Sequence, residues 1–462
     1  MKRALAIASL ALCLLALLVV SPAMRGTQPA APVTDAERAA LAADVKREFQ
    51  HAWSGYRKLA WGHDELRPVS GTPHDWYPPS VVYMTPVDSL DTMLMMGLKA
   101  EAADAQSIIL EKLTFDIDAR VQVFEVTIRL LGGLITSFQM TKEPRYLALA
   151  DDLGKRLLPA FQSATGMPYR FVHLRTGVKD GRVSNPAEIG TLILEFGALS
   201  KLTKKPVYFE TAKRAIVELT NRASKTTGLL GEGIDVESGQ WTNPKSHIGG
   251  GIDSYYEYLL KCERLFGDAD CGRMGRAGVE AIKKYLEDDV ASGLWYGESD
   301  MNSGKRTATT YGSLHAFLPT VFVLNGDLPR ARRLQESNFK MWTLAGIEPE
   351  ELDYSTMKIT GASYALRPEN AESAYYLYRA TGDAKYLAQG RQMLRDLIAY
   401  CRVGNGYTTL RDVQTKQKSD RMHSFLLAET FKYLYLLFAP EATLDFKAVT
   451  FNTEAHPIWR TW

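Results

Sequence analysis

An all-α toroid, with helical hairpins closed into a ring and long loops gathered at one rim, is the fold class this chain predicts. Three observations carry it. Long amphipathic windows dominate the sequence, and alternating strand patterns are few. A helix–turn–helix grammar recurs along the chain. Glycine- and aspartate-rich inserts such as GLLGEGIDVESGQWTNPKSHIGGG separate the recurrences. An open solenoid of stacked hairpins is the alternative, because a lone hairpin cannot bury its apolar face.

The N-terminus reads Met1-Lys2-Arg3, then ALAIASLALCLLALLVV, then Ser21-Pro22-Ala23. A charged start, an apolar run and a small-x-small site make residues 1–23 a secretory signal, with an uncleaved anchor as the alternative. Residues 24–34 read as a flexible stem and residues 35–462 as one large domain. No other apolar run approaches membrane-spanning length. Loss of Lys2 and Arg3 with the signal takes Lys+Arg from 55 to 53, equal to the 53 Asp+Glu. A neutral chain lacks the basic footprint of a nucleic-acid binder and the charge for electrostatic membrane docking. After Cys13 leaves, Cys262, Cys271 and Cys401 remain. An oxidising compartment permits a Cys262–Cys271 bridge and leaves one thiol over. There is no CxxC or zinc-type cluster.

The recurring unit is an apolar helix, a short polar turn and a second helix. Thr141, Thr203 and Thr381 each precede a tyrosine by five residues: Tyr146, Tyr208 and Tyr386. Phe266 and Cys271 hold the same two places in ERLFGDADC. A carboxylate lies near the start of each first helix: Glu125, Glu188, Asp253 and Glu369. Equivalent positions in stacked hairpins face the same end, so these acids converge on the loop-bearing rim. Acids in a first helical turn are ordinary dipole partners, but four at one mouth of a ring crowd negative charge. Shared protons, a cation or a charged substrate state would offset it.

Paired carboxylates in an aromatic-rich cleft suit glycoside cleavage, one protonating the leaving oxygen and the other activating water. Trp53, Trp61, Trp76, Tyr255, Tyr256 and Tyr375 are expected to cluster at the acids, though most such residues are core. Carboxylates in excess of two suggest an oxygen-ligated cation. No EF-hand loop is present, and the glycines at 249–251 lack a phosphate-loop context.

Seven segments then fall into place in order: TPVDSLDTMLMMGLKAEA (85–102), VFEVTIRLLGGL (123–134), AEIGTLILEF (187–196), DSYYEYLLK (253–261), LRPENAESAYYLYRATGDAKY (366–386), HSFLLAETFKYLYLLF (423–438) and FNTEAHP (451–457). Together they resemble glycoside hydrolase family 47, the class I α-1,2-mannosidases, in a bacterial-type member. The resemblance implies an (α/α)7 barrel as a single catalytic domain and an inverting, exo-acting mechanism. It also implies a calcium ion, Ca2+. Glu125 resembles the proton donor, Asp253 the second essential acid, and Glu369 the base that activates water. The choice of donor between Glu125 and Asp253 stays open. Thr453 resembles the direct calcium ligand, with Glu372, Glu429, Glu454 and Glu188 holding the metal's waters. Arg129, Arg367, Glu188, Glu429 and Glu454 resemble sugar-contacting residues, and Phe425 the apolar floor.

The chain departs from that pattern in three places. Ser313 stands where many members have histidine, Ala316 stands in place of a disulfide cysteine, and Gly251 falls where endoplasmic-reticulum members carry an arginine. His315 is displaced by two positions and does not align with the missing histidine. The expectation is a secreted or periplasmic α-1,2-mannosidase, a monomer with an oligosaccharide partner. It binds no nucleic acid and, once the signal is removed, no membrane. A glycan-binding protein on the same fold is the alternative. A toroid epimerase or lyase would need a histidine or tyrosine base, and no paired arrangement of the eight histidines is expected at the rim.

Overall fold

A computed structural model describes residues 32–462. The signal segment 1–23 and residues 24–31 of the stem lie outside the described residues. Among the described residues, fourteen long helices, mostly paired as hairpins, carry the architecture. They are α1 (Asp35–Leu59), α2 (Met84–Met96), α3 (Lys99–Lys112), α4 (Val123–Thr141), α5 (Pro144–Leu157), α6 (Ile193–Thr203) and α7 (Val207–Thr220). Then follow α8 (Asp253–Phe266), α9 (Ala269–Tyr285), α10 (Ser313–Leu324), α11 (Leu328–Thr343), α12 (Glu369–Thr381), α13 (Lys385–Cys401) and α14 (426–438).

The even-numbered helices pack in cyclic order, α2 on α4, α4 on α6, and so on to α14, which returns to α2. This closes the inner ring and excludes the open solenoid. The odd-numbered helices pack outside, with α1 completing the circle against α14. The inner helices carry the most apolar sequence because they are covered on all sides. One of them, Val123–Thr141, is long and apolar enough to cross a membrane, contrary to the reading that the N-terminal run stands alone. Its residues are mostly buried inside the ring, which accounts for its composition.

The repeat grammar has a local cause. Thr141, Thr203 and Thr381 turn their hydroxyls back to the carbonyls of Ser137, Leu199 and Leu377, at 2.6–2.7 Å, in the last turn of an inner helix. The next residue is left-handed, with φ of 62° at Lys142, 58° at Lys204 and 68° at Gly382, which ends the helix. The tyrosines five residues on are buried between inner and outer helices. Cys271 takes that place in the fourth hairpin, where it is disulfide-bonded to Cys262 across the turn. Cys401 is free and buried.

Hairpin turns at one end are short. At the other end, between each outer helix and the next inner one, the chain makes small antiparallel sheets of two- to four-residue strands. Such strands are too short to show a period-two pattern, so the sequence presents them only as loops. The C-terminal segment behaves differently. After α14 ends at the short-turn face, strands Val449–Phe451 and Pro457–Trp459 pair as a hairpin. Its tip, 452–456, reaches up inside the ring. There Asn452 Nδ2 donates to the Ile128 carbonyl at 2.8 Å, and Thr453 N donates to Tyr258 Oη at 3.1 Å.

Candidate active site

The N-terminal ends of the inner helices and the hairpin tip enclose a cavity of about 300 Å³. Glu125, Arg129, Glu188, Asp253, Arg367, Glu369, Glu372, Phe425, Glu429, Thr453 and Glu454 all line it. These are the eleven residues singled out from the sequence, drawn from five inner-face segments and the C-terminal hairpin. Asp253 and Glu369 are the first residues of α8 and α12, and Glu125 is in the first turn of α4. Glu188 sits in a short separate turn, Pro186–Gly190, ahead of α6. Thr453 and Glu454 close the floor, while Gly250, Gly251, Leu314 and Pro368 belong to the loops and helix starts at the mouth.

Two inner helices widen into π geometry over five residues at this level, at Thr127–Leu131 in α4 and Leu426–Thr430 in α14. One stretch contains Arg129 and the other Glu429. A π-bulge inserts a residue and re-aims its neighbours, and such bulges concentrate at functional sites. Two non-glycine residues also adopt left-handed backbone here, Leu366 (φ 67°) beside Arg367 and Ala455 (φ 58°) beside Glu454. Strain of this kind persists only where the surroundings over-determine it. Thr430 Oγ1 donates to the Leu366 carbonyl at 2.7 Å, and Lys432 Nζ donates to the Ala455 carbonyl at 2.7 Å.

Eight carboxylates line the cavity against two arginines. Arg129 Nε donates to Glu125 at 2.9 Å, and its Nη1 pairs with Glu454 and lies 3.5 Å from Asp88. Burial opposes that guanidinium's charge, but Glu454, Glu125 and Asp88 outweigh it and hold the group firmly protonated. Arg367 makes a forked pair with Glu350, at 2.9–3.2 Å. Phe425 lies between the two cations, its ring centre 5.7 Å from Arg129 and 5.9 Å from Arg367, with His423 stacked on it at 4.8 Å. Glu188 is already well bonded, accepting from Arg170 at 2.7 Å through both oxygens and from Gln122 at 2.9 Å.

Five of these acids hold protons unusually tightly. Burial pushes Asp253 up to about 6, reinforced by the charge of Glu257. Burial, with Glu350 and Asp253 nearby, pushes Glu369 up to about 7 against the pull of Arg367. Glu372, Glu429 and Glu454 are likewise raised, first by burial and then by one another's proximity and that of neighbouring acids. Glu369 Oε2 is buried with no hydrogen-bond partner. The helix start does not leave Glu369 exposed to solvent, as its position in the sequence suggests: it is half-buried, facing the cavity. This surplus of hard oxygen donors over cations fits an oxygen-ligated divalent cation above Thr453.

Sequence reasoning missed Glu257, Gln122 and Asn185, which also line the cavity. Glu257 lies one turn after Asp253 in DSYYEYLLK and pairs with the buried Lys261 at 2.5 Å, so its spacing was a usable signal. Of the aromatic residues near the acids, Trp53, Tyr255, Tyr256 and Tyr375 are core. Trp76 comes closest to the site, with its ring 5.4 Å from Arg129.

The model of Glycosyl hydrolase family 47 matches residues 48–460. The chain belongs to this family. It is 38% identical to "Alpha-mannosidase I MNS5" of Arabidopsis thaliana, an alignment that covers 96% of this chain and 81% of that one. It is 35% identical to the human "Endoplasmic reticulum mannosyl-oligosaccharide 1,2-alpha-mannosidase", over 89% of this chain and 62% of that one. The solved α-1,2-mannosidase from Trichoderma reesei superposes with a TM-score of 0.84 at 28% identity, covering 91% of this chain and 99% of that one. A D-mannose isomerase structure shares the fold alone, at 12% identity and a TM-score of 0.59 over 86% of this chain and 98% of that one. As a family 47 member the protein is a glycoside hydrolase.

Proposed function

We propose that this family 47 enzyme is an exo-acting, inverting α-1,2-mannosidase that removes terminal mannose from oligosaccharides. The supporting observation is the meeting of Glu125, Asp253 and Glu369 in one cavity closed at its floor by Thr453. The three acids come from α4, α8 and α12, and no two of these are neighbours in the inner ring. That spacing around a cavity leaves room for a sugar and a water, which inversion requires. A closed floor admits a chain end and not a chain interior, which favours exo action.

In the reaction, a carboxylic acid gives its proton to the glycosidic oxygen as the bond from that oxygen to the anomeric carbon breaks. Water attacks the same carbon from the opposite face and passes a proton to a carboxylate. Glu369 is the base in this assignment. Asp253, whose hold on its proton burial raises to about 6, is suited to supply the acid's proton under mildly acidic conditions. It can do so directly or relay it beside Glu125, which Arg129 holds in place. Phe425 packs under the sugar ring, and Arg129 and Arg367 donate to its hydroxyls. Thr453, Glu372, Glu429 and Glu454 would hold calcium, directly for Thr453 and through water for the acids. When bound, calcium would offset the acids' charge and fix vicinal sugar hydroxyls.

The Cys262–Cys271 disulfide and the N-terminal apolar segment together support a secreted or periplasmic enzyme. The test is digestion of α-1,2-mannobiose, with and without chelator, following by NMR the anomer of mannose first released. Release of β-mannose that is lost on chelation and restored by calcium is expected. Binding without release by the native, calcium-loaded protein would instead make it a glycan-binding protein on this fold.

A further inference from the structure

The floor of the acid cavity is the tip of a hairpin, and its height inside the ring must be set by something. Within the tip, Asn452 Oδ1 accepts from Glu454 N at 3.0 Å and from His456 N at 2.8 Å. Those bonds shape the turn but do not place it. Bonds to three inner helices do. Asn452 Nδ2 donates to the Ile128 carbonyl of α4 and to Glu195 Oε1 of α6, both at 2.8 Å. Tyr258 Oη of α8 donates to that same Glu195 oxygen at 2.7 Å and accepts from Thr453 N at 3.1 Å. Glu195, Tyr258 and Asn452 are fully buried, and none of them lines the cavity.

We infer that Glu195 and Tyr258 are positioning residues for the metal end of the site, pinning the tip at the level where Thr453 and the acids share one cation. The inference rests on the calcium reading of Thr453 proposed above. The direction of each bond is fixed. A backbone N–H can only donate, so the Tyr258 hydroxyl accepts from Thr453 and gives its own hydrogen to Glu195. One carboxylate oxygen therefore holds the tip twice, through Asn452 directly and through Thr453 by way of Tyr258. Among the described residues, no hydrogen bond engages the Thr453 hydroxyl or carbonyl. The brace uses the N–H of Thr453 and leaves its two oxygens for the cavity.

Helix α4 is cut back to receive the tip. A Cβ on Gly132 would stand 2.6 Å from Asn452 Nδ2 and 3.0 Å from His456 Cδ2, and one on Gly133 would stand 3.3 Å from His456 Cε1. Adjacent glycines inside a helix run against helix propensity. They directly follow the π-turn Thr127–Leu131, whose Ile128 carbonyl takes the Asn452 bond. Glu195 adds a cost of its own, because its Oε2 is buried without a hydrogen-bond partner. A plug that only closed the ring would be served by apolar contact. Here a buried acid, a buried phenol and a weakened helix all act on the turn that carries Thr453.

The test uses three variants of the full chain. Tyr258→Phe deletes one hydroxyl, Glu195→Ala deletes the shared acceptor, and Glu195→Gln keeps an oxygen at the Oε1 position. Partners that orient a metal ligand are worth about 10–100-fold in affinity, so the calcium Kd from titration calorimetry should rise by about that factor in Tyr258→Phe and Glu195→Ala. Glu195→Gln should stay within about threefold of native, and the double variant Glu195→Ala/Tyr258→Phe should bind no more weakly than either single one, since both act through one chain of bonds. A lowered melting temperature with native calcium Kd would make the pair structural and overturn the inference. Should Glu195→Ala fail to fold, Tyr258→Phe carries the comparison. A second measurement needs no metal: in calcium-free protein, Tyr258→Phe should speed deuterium exchange of the 451–457 peptide about tenfold and leave the α8 peptides unchanged. Uniform acceleration, or none, would overturn the brace. If the native protein binds no calcium, the reading of Thr453 fails on its own account, and the exchange rates still decide whether Glu195 and Tyr258 pin the tip.

Discussion

Two buried clusters of charge lie one above the other inside the ring, and they are built differently. The lower one, under the hairpin tip, is matched. Asp91 accepts from Lys432 and from His456 Nδ1, both at 2.9 Å, and Asp88 accepts from Ser424 and lies 3.4 Å from His456 Nε2. Burial opposes the Asp91 charge, yet Lys432 and His456 overcome it and hold the carboxyl below its ordinary range. The upper cluster is unmatched: its acids outnumber its cations and are pushed upward. A buried charge without a partner costs several kcal/mol. A fold that satisfies one cluster and leaves its neighbour short reserves the second for something from outside: protons, a metal and sugar hydroxyls.

The sharpest way to break this comparison is to neutralise one acid of the upper cluster. Glu369→Gln should cut kcat by about 10²–10⁴-fold, the contribution of a positioned base. Its melting temperature should hold or rise, as read by calorimetry on metal-free protein. A stability loss instead would show Glu369 to be structural. The same kind of change below should act in the opposite sense. Lys432→Met strands Asp91 and frees the Ala455 carbonyl, so it should cost about 3–5 kcal/mol in denaturant unfolding. A neutral outcome would mean the lower cluster is not matched in the sense argued here.

Chelation gives a smaller effect that belongs to the upper cluster alone. Metal at about 100 times its dissociation constant stabilises by about 2.7 kcal/mol, seen as a melting shift that EDTA reverses. Thr453→Ala should abolish most of that shift, and persistence of the full shift would move the metal elsewhere.

An effect of similar size is expected in pH. Asp253 and Glu369 carry folded values of about 6 and 7, above the ordinary carboxylate range near 4. Between those limits the native state binds more protons than the unfolded chain, so metal-free stability should rise as pH falls from 7 towards 4. Each group contributes on the order of 2–3 kcal/mol across that range. The double variant Asp253→Asn/Glu369→Gln should flatten that rise, and an unchanged slope would place these protons elsewhere.

What the sequence by itself determined is the set of elements and the identity of the acids. Thr141, Thr203 and Thr381 mark helix ends through bonds made within one turn, and Tyr146, Tyr208 and Tyr386 mark the packing that follows. Such local regularities survive in a linear reading because their causes span only a few residues. The segments around Glu125, Asp253, Glu369 and Thr453 are legible for the same reason. Tertiary structure decided the rest. Closure of the ring, the entry of the 452–456 tip from below, and the sealing of Asp88, Asp91, Lys432 and His456 depend on residues hundreds of positions apart. The same holds for His247 and His315, which stack 6.4 Å apart near the rim, contrary to the expectation of no paired histidines there, and for the π-turns that re-aim Arg129 and Glu429. Whether a buried charge is paired is a property of its neighbours in space, and that is why only the folded ring could show which cluster was left open.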